Sequence, residues 1–413
     1  MCINVNNCRA CLLLLLFGLF PWLALAEPTA APATAAEPAS TPAPAPVLVG
    51  LDAAFGHKVS TSERAIQQGL EIAIAEINAS GGVLGGRPLE LVTTDNRSLP
   101  ARAVDNVREL AAMPDLVAVF GGKFSPTYVE LLPVVHELGL PLLDPWGAAD
   151  TVINHSFQPS YTFRLSLKDS WAAPVMLRHA LEVHGARRLG VLLPNTAWGR
   201  SNETAIARAA GALGQAVVAK VWYNWGDTSL RKAYDELLDS GAEVVILVAN
   251  AAEGSILVRE MAERPVAERL PIVSHWGITG GAMVELCGPA LDAVDLSVVQ
   301  TFSFFGREQE PAAQRVLAAL RDDYGIAGPV DLKAPVGVAH AYDLMHLLAT
   351  AIDLAGGTDR ATIRDVLENL GPYDGLIKHY PHPFTAERHE ALDAGDVFMA
   401  RYGEAGQILP IGH

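Results

Sequence analysis

Apolar and polar positions change their spacing repeatedly after Val47. Short apolar runs bounded by Gly, Pro, Asn or Asp alternate with segments whose apolar residues recur every three or four positions. The runs read as buried strands and the periodic segments as one-faced helices. Val47 to Leu51 predicts a strand, Ser62 to Asn78 a helix with Ile66, Leu70, Ala73 and Ile77 inward, and Leu89 to Thr94 the next strand. A second helix follows with Ser98 as cap and Pro100 in its first turn. The apolar run Leu116 to Phe120 then ends in Gly121-Gly122, with Ser125 at a helix N-cap position and Pro126 at the first helical position. That helix has Tyr128, Leu131, Leu132, Val135 and Leu138 on one face and stops at Gly139. A strand from Leu140 to Leu143 runs straight into Asp144-Pro145-Trp146-Gly147.

The alternation then starts again. Strand Thr162 to Leu165 precedes helix 171–184, strand Leu189 to Leu193, helix 201–213, strand Val217 to Trp222, helix 229–239, strand Glu243 to Val248, helix 253–263 and strand Ile272 to Ser274. Strand Val298 to Phe302, helices 312–323, 337–355 and 361–370, and a β-like tail from Gly375 complete the chain. Two βα series imply an α/β protein of two doubly wound parallel-sheet lobes with right-handed crossovers. The long helix at 337–355 has no strand immediately after it and is expected to return to the first lobe, which makes several crossings and hence a hinge. The expected division is 47–165 with 300–392 as lobe one, and 166–299 with 393–413 as lobe two.

Residues 1–26 read as an export leader: Arg9 is the positive region, Leu12 to Phe20 the apolar core, and Ala24-Leu25-Ala26 the cleavage site. The alternative is an uncleaved N-terminal anchor. Residues 27–46, rich in Pro and Ala, read as an extended tether. The remaining 367 residues exceed one ordinary core. Cys2, Cys8 and Cys11 lie in the leader, so Cys287 stands alone in the exported chain and an intrachain disulfide is excluded. The formal charge of −16 becomes −17 when the leader, whose one charged side chain is Arg9, departs. That acidity argues against nucleic acid and anionic lipid as partners.

Parallel strands bring their carboxyl ends side by side, so Gly122 to Ser125 and Trp146 to Asp150 should face one crevice. Free helix N–H groups and a hydroxyl there suit a carboxylate; equally, Ser125 fits a plain helix cap. Phosphate-loop, dinucleotide, serine-nucleophile and zinc-protease motifs are missing from the sequence. No cofactor or metal is therefore expected, and an enzymatic role has no acid, base or nucleophile set behind it. His379, His382 and His389 fall in the Pro-rich tail and are expected on the solvated surface.

Residues 69–85 fit G-x-E-x-A-x-x-x-I-N-x-x-G-G-x-x-G, followed in order by G-G-K-F-S-P-T at 121–127, L-D-P-W-G-A-A at 143–149 and A-W-G-R-S at 197–201. From about Val47 onward the chain resembles the type I periplasmic binding proteins, the leucine/isoleucine/valine-binding family of ABC importers. The resemblance implies a periplasmic, monomeric binder that delivers a small solute to an inner-membrane permease, or a sensor of the same fold. By position it implies a ligand carboxylate at Ser125 and the backbone of Trp146, Gly147, Ala148 and Ala149. Ser62 is implied from the first loop, and Trp198, Asn250 and Trp276 from lobe two. The family's amino-acid binders present a carboxylate to the ligand ammonium at the turn matching Ser274 to Gly277, and here Trp276 stands near its place. Either Asp52, Asp144, Asp150 or Glu253 substitutes, or the ligand is an aromatic or aliphatic carboxylate or amide. The three tryptophans fit core packing or contact with an apolar ligand body.

Overall fold

The computed structural model describes residues 44–56 and 60–412. The expected leader with its cleavage site, and the tether as far as residue 43, lie outside the described residues. Among those described, no helix is long and apolar enough to cross a membrane.

The chain runs β1 (Val47–Ala53), α1 (Ser62–Ala79), β2 (Leu89–Asp95), α2 (Pro100–Ala111), β3 (Leu116–Gly121), α3 (Ser125–Glu137), β4 (Leu142–Asp144) and β5 (Thr162–Arg164). It continues through α4 (Asp169–His184), β6 (Arg188–Pro194), α5 (Ala197–Leu213), β7 (Ala216–Tyr223), α6 (Arg231–Asp239), β8 (Val244–Leu247), α7 (Ala251–Ala262), β9 (Ile272–Ser274), α8 (Met283–Cys287) and β10 (Leu296–Gln300). Helices α9 (Pro311–Tyr324), α10 (Pro335–Ala355) and α11 (Arg360–Leu367) follow, then β11 (Tyr373–Asp374), β12 (His379–Tyr380), β13 (Phe398–Tyr402) and β14 (Ile408–Pro410).

The first sheet has the order β2-β1-β3-β4-β5, every pairing parallel. The second runs β14-β13-β10-β9-β8-β6-β7, parallel from β10 to β7 with β13 and β14 added antiparallel. Each parallel set thus has the same winding, first strand inside and second at the edge. Central strands such as β3 and β8 are buried throughout because helices cover both faces. The edge strand β7 alternates and is half-exposed. This is the two-lobed architecture expected from the alternation, and the order reverses beside β1 in one sheet and β6 in the other, which opens a crevice at the strand carboxyl ends.

Helix α10 lies against α1, as expected for the long helix. Gly69 makes the approach possible: a Cβ there would sit 2.3 Å from the Val338 carbonyl and 3.0 Å from the Ala341 methyl. Gly337 has the same role near the start of α10, against Ala65 and the ring of Trp146.

Several element ends differ from expectation for identifiable reasons. Ser125 is the first residue of α3 and not its cap; Phe124 is the cap, without a side-chain bond, because Ser125 Oγ accepts the Ala149 N–H instead. Leu140 donates to the Val135 carbonyl and so finishes α3, and Pro141 has no N–H to give, so β4 begins only at Leu142. Ser98 does not cap α2; it sits at φ 60° with its N–H on the Asn96 side chain, and Leu99 takes the cap position. Helix α5 starts four residues early, capped by Thr196, which accepts from Gly199 N–H. His389, expected on the surface, is buried: its ring stacks on Phe163 at 4.2 Å, Nδ1 donates to the Thr162 carbonyl and Nε2 faces Glu368. Sequence separation hid that pairing.

Replacing Gly69 by Ala should destabilise the protein by about 1–3 kcal/mol in urea denaturation, since overpacking against helix backbone costs that much. Helix propensity alone would give the opposite sign. A variant as stable as the parent would show that α1 and α10 separate without cost.

Candidate ligand-binding cleft

Glycine-rich or aromatic turns end β3, β4 and β9, the Val248-Ala249-Asn250 turn ends β8, and the first turn of α5 follows β6; these turns supply the walls of the chamber. Six of the nine residues expected at the site line one chamber there: Ser125, Trp146 and Ala148 from the first lobe, Trp198, Asn250 and Trp276 from the second. The chamber is a narrow slit of about 10 Å³, roughly the room of a single water molecule. Its narrowness comes from the walls. Trp146 and Trp276 face each other across the lobes at 5.2 Å between ring centroids, tilted by 34°.

The other three expected residues stand behind the wall and do not line the chamber. Gly147 donates its N–H to Asp144 Oδ1, and a Cβ there would meet the Tyr128 ring at 2.9 Å. The Ala149 N–H is taken by Ser125 Oγ at 3.2 Å. Ser62 Oγ lies between Glu63 Oε2 and the Gly280 carbonyl.

Lys123, Phe124, Pro126, Trp225 and Gly277 also line the chamber; Lys123, Phe124 and Gly277 fall in turns expected at the crevice but are not among the expected site residues, and Trp225 is not expected there. Lys123 and Phe124 sit inside the G-G-K-F-S turn, of which the serine alone carries a local signal. Trp225 precedes the Gly226 turn after β7, where a glycine with φ 91° marks a loop but nothing marks its direction. Outside Lys123 the cleft widens to a mouth of about 300 Å³ with Ser60, Trp225, Asn250, Glu253 and Gly280 on its walls.

The two lobes touch here. Thr61 N–H, Ser62 Oγ and Lys123 Nζ converge on the Gly280 carbonyl at 3.3, 3.1 and 2.9 Å. Ser60 pairs with Gly281 as an isolated antiparallel bridge. A Cβ on Gly280 would come within 3.1 Å of both Lys123 and Ser62, so a side chain there would fit only if those two gave way slightly. Burial pushes the Lys123 ammonium below its usual range, and the carboxylates of Glu63 and Glu253 draw it back up.

None of the four acids considered as substitutes for the missing carboxylate lines the inner chamber. Asp52 is occupied by Thr94, Asn96 and Asn106. Asp144 is buried under the turn, where it accepts the N–H groups of Trp146 and Gly147. Burial raises its pKa to about 7, against the pull of Arg164 and those N–H groups. Asp150 accepts the Ser170 N–H, and Glu253 stands in the mouth.

Residues 46–407 match the profile of the family described as periplasmic binding protein. The chain belongs to that family. A relative from Brucella abortus (strain 2308), named Leu/Ile/Val-binding protein homolog 2, is 22% identical over 363 residues, covering 87% of this chain and 90% of that protein. The structure of a periplasmic binding protein type 1 from Bordetella pertussis Tohama I is similar with a TM-score of 0.78 and 20% identity, over 89% of this chain and all of that one. An ABC transporter solute-binding protein of R. palustris, solved in complex with benzoate, is similar at a TM-score of 0.73 and 16% identity, over 89% and 96% of the two chains. The fold is that of type I periplasmic binding proteins of the branched-chain amino acid family.

In this periplasmic binding protein a buried histidine ties the turn after β4 to the segment after β10. The Pro145 carbonyl can only accept, so His340 Nδ1 carries the proton and donates to it at 2.9 Å, leaving Nε2 to accept from Thr301 Oγ1 at 3.0 Å. Burial lowers the His340 pKa to about 4, against that Nδ1 bond. Its folded pKa lies below the unfolded value near 6.5, so its contribution to stability is whole above that pH and is lost as pH falls through about 4. The loss is on the order of 3 kcal/mol. His155, held near 4 mainly by burial, acts in the same direction. Asp144 acts oppositely, losing its contribution as pH rises toward 7. Asp343, which burial raises to about 6, acts with Asp144. Relative to the parent, His340→Gln should therefore lose less stability, or gain more, as pH falls from 6.5 to 4, and parallel urea-denaturation profiles for parent and variant across that range would show that His340 does not contribute.

Proposed function

We propose that the protein is the extracytoplasmic solute-binding component of an ABC-type importer. It closes its two lobes on a small carboxylate-bearing solute: an amino acid, or an aromatic or aliphatic carboxylate or amide. The observation that carries this reading is one aromatic chamber built jointly by strand ends of both lobes, with Ser125 at the start of a thirteen-residue helix. A helix N-terminus favours an anion there. The relatives support the same class of ligand, since they carry names of leucine, isoleucine and valine binding and one holds benzoate.

In this reading the chain binds without turnover. It acts as a monomer, is exported with its leader removed after Ala26, and hands its solute to an inner-membrane permease. Residues 47–165 with 300–392 form lobe one, and 166–299 with 393–413 form lobe two. The ligand-contacting set is Ser125, Trp146, Ala148, Trp198, Asn250 and Trp276, joined by Trp225 and Lys123, while Ser62, Gly147 and Ala149 brace it from behind. A sensor of the same fold is the less favoured reading, because the matched proteins are named as binding and transport components.

Binding to both lobes shifts the population toward closure. A thermal-shift panel of amino acids, aromatic acids, aliphatic acids and amides should yield a stabilising solute, and small-angle scattering should show compaction with it. Ser125→Ala should weaken that solute by about one to two decades in calorimetry, the range for one charge-assisted hydrogen bond. Chemical turnover of the bound solute, or an unchanged dissociation constant in Ser125→Ala, would contradict the reading or move the site.

A further inference from the structure

The inner chamber has one charged side chain, Lys123, and its other polar side chains are Ser125 and Asn250. Lys123 is buried, with its ammonium 5.0 Å from the centre of the Phe124 ring. Among the described residues Nζ makes one hydrogen bond, to the Gly280 carbonyl across the cleft, although an ammonium has three N–H groups to place. The two carboxylates that act on it are both outside the chamber. Glu63 is engaged by the hydroxyls of Ser60 and Ser62, and Glu253 takes the Gly226 N–H in the mouth. The chamber therefore offers donors, ring faces and one positive charge, and no carboxylate.

We propose that the solute is an organic acid with a flat or branched apolar body and no amino group, and that Lys123 determines this specificity by donating to its anionic oxygens. The inference rests on the solute-binding reading above and names the substrate class within it. A carboxylate brought into the chamber meets Ser125, the start of α3 and the unfilled donors of Lys123 together. An α-amino acid brings the same carboxylate with an ammonium attached one carbon away. That ammonium would be stripped of water beside a like charge and would find no acceptor of opposite charge, which is costly in a dry site. The aromatic rings recognise the rest of the molecule by area, not by hydrogen bonding.

The test uses pairs that differ in the amino group alone: 3-phenylpropanoate against phenylalanine, and 4-methylpentanoate against leucine. Calorimetry on the exported chain should show the deaminated member of at least one pair binding about tenfold tighter or more, a modest share of what an unpaired buried ammonium costs. Lys123→Met should weaken that acid by about ten- to a hundredfold, with Lys123→Arg recovering some of the loss. Because Lys123 is buried, its variants are first checked for a parental melting profile. Glu253→Gln supplies an independent arm: it should leave acid binding unchanged or tighter. Preference for phenylalanine or leucine, abolished by Glu253→Gln, would place an ammonium in the mouth and overturn the inference while leaving the solute-binding reading intact. A folded Lys123→Met that binds the acid as the parent does would overturn the role of Lys123. Failure of all four solutes and of the wider panel would overturn both readings.

Discussion

A guanidinium with no exposure to water sits at the root of the turn that walls the cleft. Arg164, the last residue of β5, donates through Nη1 to the carbonyls of Gly147 and Ala149, and through Nη2 to Glu390. Glu390 in turn holds Lys168, at the entry to the second lobe. The backbone repeats the link, with Arg164 N–H on the His389 carbonyl and Ala391 N–H on the Arg164 carbonyl. One buried cation thus joins the turn after β4, the segment from β5 to α4 and the tail around Glu390. Such a charge is tolerable only when every element keeps its place, since removing one partner leaves the other buried and uncompensated. Asp144 beneath the turn gains from the same cation, which partly offsets the effect of its burial.

How much of this was readable in the sequence follows from the range of the forces involved. The alternation of strand and helix is local and was legible almost throughout, with strand β9 falling at Ile272–Ser274 as expected. Element ends failed where a distant group intervened. Ser125 looks like a cap until Ala149, from the next strand-end turn, claims its oxygen. The turns after β3 and β4 were visible because parallel strands must end together, which brought in Trp146; Trp198 and Trp276 came only from the resemblance to the binding-protein family. The part played by Lys123 was not visible, because a lysine in a glycine-rich turn has the same local pattern whether it meets solvent or the opposite lobe. Arg164 and Glu390 are 226 residues apart, and nothing in the composition around either announces the other.

The cleft is held from behind as well as in front. Trp276 leans on Trp146 and on His340, and His340 binds both the Pro145 carbonyl of the turn after β4 and Thr301, just past the end of β10. Trp198 donates its indole N–H to Asp169, the first residue of α4, which also faces His275 at 3.1 Å. Each tryptophan of this set is therefore packed against or bonded to a second side chain that is itself held by another element.

The Gly280 carbonyl, where the lobes meet, is oversubscribed. It has two lone pairs, yet Thr61, Ser62 and Lys123 all approach it, and Ser60 stands at 3.5 Å. The two serine hydroxyls have one proton each and also face Glu63, so they cannot serve both oxygens at once. Whichever donor lets go, another can step in, and water can replace either when the lobes separate. The contact works as a detent and not as a lock: it marks a resting position that a modest push can leave.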